Sequence, residues 1–181
     1  MQELTERELY QALEYAKSLD ENAGRKILEQ FQLDQPALAQ ILFGMFPAVI
    51  AEQNPEMSFL FMDLGFDVIC IYQKVFGPLP SQKDMDLDGL EKQAMLLDAE
   101  LQSLMTDNHM AEKIRENLQD RLRQRSLDET EQRGLVNFMK AAIDDFASES
   151  PSRIPAIKTT QTMIAVVIRL FDTVYSHAAK Q

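Results

Sequence analysis

Apolar residues recur every three or four positions along most of the chain, the spacing that lines one face of an α-helix. Thr5 and Glu8 form an S/T-x-x-E capping box, flanked by Leu4 and Leu9 at the positions of a hydrophobic staple. Leu9, Leu13, Ala16 and Leu19 give the first helix its apolar face, and Asn22-Ala23-Gly24 reads as its stop. A second, shorter helix carries Ile27, Leu28 and Phe31 and ends near Leu33. Asp34, ahead of Gln35-Pro36, reads as the next N-cap. The helix it opens holds Leu38, Ile41, Leu42, Met45 and Phe46. Pro47 lacks an amide donor and its ring crowds the Phe43 carbonyl, so a kink or break is expected there.

Asn54-Pro55 opens the stretch PEMSFLFMDLGFDVICIYQKVFG by the same capping logic. On a helical wheel, Glu56, Asp63, Asp67, Cys70 and Lys74 fall on one narrow line, with Phe, Leu, Met, Ile and Val elsewhere. A helix apolar nearly all round is one that others pack against, so residues 55–76 are the expected central helix. Gly77-Pro78-Leu79-Pro80 ends it and is where sub-lobes 1–76 and 81–181 would divide, although both sides read as helical.

Leu87, Leu90, Ala94, Leu97, Leu101 and Leu104 then keep a heptad spacing. After the turn Thr106-Asp107-Asn108 comes a thin, charged helix with Met110, Ile114, Leu118 and Leu122 as its stripe. Together they predict an antiparallel helical hairpin near residues 87–125. Leu127-Asp128 leads into a helix with Leu135, Phe138, Met139, Ala142, Ile143 and Phe146, and Ser148 to Pro155 reads as a polar loop. The last helix places Ile157, Ile164, Ile168, Phe171 and Tyr175 on one face, although its MIAVVI run favours strand. The fold this predicts is all-α: a multi-helix bundle in a single domain, 1–181.

Composition sharpens that expectation. Six glycines and seven prolines are few for 181 residues, which argues against the frequent turns of an all-β fold. A formal net charge of −11 repels phosphate backbones, and the cluster Arg121, Arg123 and Arg125 is interleaved with acids, so no nucleic-acid partner is expected. A single cysteine excludes an intrachain disulfide, and the acidic start lacks the form of a secretory signal. Asp63, Asp67 and Lys74 interrupt the one run, Met57 to Val75, that suggests a membrane span. The expected setting is cytoplasmic, without a membrane partner.

Candidate chemistry is sparse. His109 and Glu112 lie one turn apart, but no Glu-x-x-His occurs, so no metal or other cofactor is expected. Asp63 and Asp67 are sharper, being two carboxylates one turn apart on a helix expected to be buried. They form either a polar spot inside an apolar cavity or the single solvent-facing edge of an enclosed helix. Cys70 shares their line, which should raise its pKa and suppress its reactivity. No nucleophile elbow, phosphate loop or dinucleotide fingerprint is present. Ten methionines, Met57 and Met62 among them, beside Phe43, Phe46, Phe59, Phe61 and Phe66 suit core filling or a deformable apolar groove or cavity.

The leading expectation is a non-catalytic protein-interaction or scaffold domain, forming a homodimer through Leu90, Leu97, Leu101 and Leu104. The alternative is a small-molecule-binding domain whose apolar cavity is bounded by Phe46, Phe61 and Phe66, with Asp63 and Asp67 as its polar groups. A metal-dependent enzyme is the least favoured class.

Overall fold

In the computed structural model, residues 1–84 and 112–178 are described. Helix α1 (Glu6–Ser18) begins where the capping box sets it: the Glu8 amide donates to Thr5 Oγ1 and the Thr5 amide to Glu8 Oε2. The helix ends at Leu19 without any help from glycine. Asp20 instead caps α2 (Glu21–Asp34), its carboxylate accepting the Ala23 amide at 2.7 Å. Asn22-Ala23-Gly24 is therefore the first turn of α2, not the stop of α1. A glycine inside a helix costs about 1 kcal/mol, a loss that one good cap offsets.

The next corner also sits one residue later than the sequence suggests. Asp34 is the last residue of α2, and Gln35, held out of the helical region by the proline after it, caps α3 (Pro36–Gln40). The chain turns by 119° there. Pro47 then causes no break. A π-helical turn, Ile41–Met45, joins α3 to α4 (Phe46–Gln53), with the Phe46 amide reaching back five residues to the Ile41 carbonyl. The wider turn gives the proline ring the room that a regular helix would deny it.

Asn54 caps α5 (Pro55–Phe76) through the Met57 amide, and its side-chain amide also donates to the Ser152 carbonyl. Gly65 lets α5 press against the π turn: a Cβ there would lie 2.8 Å from Leu42 Cδ1. Gly77 ends α5 at φ 91°, where an L side chain would be strained, and its carbonyl accepts from the Tyr175 hydroxyl at 2.9 Å. Helices α6 (Glu112–Glu129), α7 (Arg133–Ser148) and α8 (Ile157–Ala178) follow. Between α7 and α8, the expected polar loop winds into a 3-10 helix, Pro151–Ala156. Helix α6 is the expected second arm of the hairpin, but it runs on through Leu127-Asp128 to Glu129. The first arm lies outside the described residues.

No strand occurs among the described residues, so the fold is an all-α bundle. Its interior is shared by two helices. Helix α5 packs on α1, α4 and α8, whereas α8 packs on α5, α6 and α7. Every residue from Thr159 to Asp172 on α8 is buried, while α5 keeps Glu56, Asp63 and Lys74 in solvent. The last helix is thus the more enclosed of the two. MIAVVI is helical despite its β propensity, because a strand buried here would need a partner strand for its amides, and a helix satisfies its own. Among the described residues, the segment Pro151–Ser176, and not Met57 to Val75, is long and apolar enough by itself to cross a membrane, yet 78% of that window is buried within the fold.

The polar residues of α8 are accommodated one by one. Thr160 and Thr162 donate to carbonyls one turn back, Gln161 to Asp144 at 2.7 Å, and Arg169 to Glu129. Asp172, 4% exposed, accepts from the Tyr72 and Thr130 hydroxyls, each at 2.6 Å, and from the Glu131 amide at 2.9 Å. Gln132 extends this junction to the N-terminal segment, accepting from the Leu4 amide and donating to the Gln2 carbonyl. The core draws residues from both sides of the Gly77–Pro80 turn.

Candidate functional site

This packing leaves an open groove of about 570 Å³ between α2 and α5. Leu19, Gly24 and Leu28 form one side, Met62 and Phe66 the other, and Phe43 of the π turn closes one end. Asp20, Glu21, Arg25 and Asp63 supply its polar rim. Phe66 comes close to α2 at Gly24, where a Cβ would just touch its ring at 3.5 Å. Phe59, 64% exposed, stands one turn before Met62 and Asp63 on the same face of α5. It carries the apolar strip beyond the groove.

Four of the rim charges behave differently. Arg25 pairs with Glu21 at 3.1 Å, and Asp20 is committed to the α2 cap. Asp63 is exposed and makes no hydrogen bond or ion pair with any described residue. One turn further along α5, Asp67 turns away from the groove toward α1. Burial there pushes its carboxyl up to about 6, opposed by Lys17 and reinforced by Asp63. Cys70, the next residue on that line, is fully buried, and burial followed by the Asp67 charge pushes its thiol up to about 12. At neutral pH it is a thiol inside a core, not a nucleophile.

The shift at Asp67 has a sign that can be checked. A carboxyl with a folded pKa near 6 and an ordinary value of 3.8 when unfolded binds its proton more tightly in the native state. Its contribution to stability is full below about pH 4 and is lost as the pH rises through 6. Asp67→Asn is therefore expected to raise the melting temperature at pH 7.5. The gap between variant and wild type should shrink as the pH falls from 6 to 4. Thermal melts followed by circular dichroism across that range check both statements, and a gap that stays constant with pH would contradict them.

No protein-family model, curated protein or solved structure matches this chain. The site is accordingly read from its own geometry.

Of the candidates taken from sequence, Asp63 and Phe66 line the groove together. Phe46 and Phe61 do not: both are fully buried and meet edge to face in the core, with ring centroids 6.1 Å apart. The cavity imagined between all three phenylalanines is thus a packed core contact on one side and an open groove on the other. Asp67 takes the half-buried position against α1. Leu90, Leu97, Leu101, Leu104 and His109 lie outside the described residues. Among the described residues, no group of three or more histidine, cysteine or acidic side chains is placed to hold a metal ion. Phe43 and Met62 belong to the apolar set expected to form a groove or cavity, whereas Leu19, Gly24 and Leu28 carry no such signal, because only the 119° corner and the π turn bring them to it.

Proposed function

We propose that this chain is a non-catalytic, helical protein-interaction domain that receives an apolar segment of its partner in the groove between α2 and α5. One observation supports this above the others: Leu19, Leu28, Phe43, Met62 and Phe66 come from four elements, yet their apolar surfaces converge on a concavity open to water. A cleft of this size and lining suits side chains docked from a partner, and Met62 can repack around different shapes. The polar rim fixes orientation and excludes no particular chemistry by itself.

The test places a benzophenone amino acid at Phe66, with a control at Leu33, which is 71% exposed and outside the groove. Position 66 is expected to give a discrete protein adduct that position 33 does not. Gly24→Leu fills the groove and should abolish that adduct while leaving the far-ultraviolet spectrum of the helices unchanged. Identical adducts from both positions, or adducts indifferent to Gly24→Leu, would count against the proposal. Native mass spectrometry of the untreated protein weighs the other reading: a small apolar molecule expelled by Gly24→Leu favours a ligand-binding domain. The same spectra report self-association, and a dimer that Leu97→Glu turns into a folded monomer would add the heptad leucines as a second interface.

A further inference from the structure

We infer that the groove's occupant is a cationic amphipathic helix, with apolar residues seated on Leu28, Phe43, Met62 and Phe66 and a lysine or arginine paired to Asp63. This rests on the groove being the docking surface proposed above, and adds the chemistry of the partner. Charge is the first argument. Arg25 is already matched by Glu21, and Asp20 has one carboxylate oxygen on the Ala23 amide at 2.7 Å. Asp63 has no counter-charge among the described residues. An occupant covering Met62 and Phe66 must partly desolvate the carboxylate between them, which is costly unless the occupant brings a cation. The overall charge of −11 acts in the same direction at long range and would speed the encounter with a basic partner.

Shape is the second argument. Phe59, Met62 and Phe66 lie on one face of α5 and span two helical turns, roughly 10 Å at 1.5 Å per residue. That repeat matches apolar side chains at i, i+3 or i+4, and i+7 on a docked helix. A small molecule held in the concavity would leave Phe59 uncovered, because Phe59 stands outside the lining.

The experiment uses the whole chain with methyl-labelled methionines and three probes: a short leucine–lysine helical peptide, its leucine–glutamate counterpart and the neutral dye N-phenyl-1-naphthylamine. The lysine peptide is expected to shift the Met62 methyl resonance and to bind more tightly than the glutamate peptide by about tenfold or more. Asp63→Lys should weaken the lysine peptide roughly tenfold and remove its preference over the glutamate peptide. Phe59→Ser should weaken the peptide and spare the dye. Equal affinity for the two peptides, an unaltered affinity in Asp63→Lys, or shifts confined to methyls other than Met62 would overturn the inference. If the dye still shifts Met62 in that case, the groove reading stands and only the partner chemistry falls. If neither dye nor peptide shifts Met62, the groove reading itself fails.

Discussion

Asp172→Ala is expected to cost about 3 kcal/mol of folding free energy, because it removes the acceptor from three donors at once in a buried junction. The Tyr72 hydroxyl approaches one carboxylate oxygen, while the Thr130 hydroxyl and the Glu131 amide share the other. Burial, with a smaller push from the Glu131 charge, raises the Asp172 carboxyl, and the three hydrogen bonds work against that rise. The charge is thus tolerated only because every donor is in place. Asp172→Asn should be milder. Its amide nitrogen can take the place of the oxygen facing Tyr72, whose hydroxyl then turns to the Ile168 carbonyl 3.2 Å away. The remaining amide oxygen keeps Thr130 and Glu131. Urea denaturation checks the order: midpoints should fall for both variants, further for alanine, with an unchanged m-value. An alanine variant as stable as wild type would show that Asp172 does not hold α5, α8 and the α6–α7 corner together.

Phe31→Ala should be at least as damaging, at about 3–5 kcal/mol. Phe31 is the only residue of α2 that is fully buried. It stacks on Phe171 of α8 at 6.0 Å and meets Phe43 edge-on at 6.1 Å. Truncation leaves a void lined by two aromatic rings that the backbone cannot close, and both ring contacts are lost with it. For a chain of this length the melting temperature is expected to drop by roughly 10 °C. A functional effect should accompany the loss. Phe31 pins α2 to the core and supports Phe43, so the groove loses a wall, and the dye should bind more weakly even well below the melting temperature. Unchanged dye binding in a measurably destabilised Phe31→Ala would separate the groove from α2 packing and contradict this picture.

Local chemistry was legible in the sequence wherever a single side chain decides the backbone. Thr5 with Glu8, and Asn54 ahead of Pro55, start their helices where the residue types place them. Pro47 was not legible in this way, because a π turn that absorbs a proline depends on the packing of Ile41 and Leu42 beneath it. The enclosure of α8 was masked for a different reason. Thr159 to Thr162, Arg169 and Asp172 look solvated in the sequence, and only the positions of Gln119, Ala156, Asp144, Lys158, Glu129 and Thr130 reveal that each is satisfied indoors. Half of the groove could be read from α5 alone, where Asp63 and Phe66 interrupt one another's pattern. The opposite wall required the turn at Gln35 and the early start of α2 at Glu21.

All of these features assume that α8 is the axle on which the other helices are mounted. Native-state amide hydrogen exchange measures this directly. The amides from Thr159 to Asp172 are expected to exchange only as fast as the whole molecule unfolds, and far more slowly than those in the exposed first turns of α6. Exchange along α8 as rapid as in α6 would mean that the enclosed helix opens on its own and does not anchor the bundle.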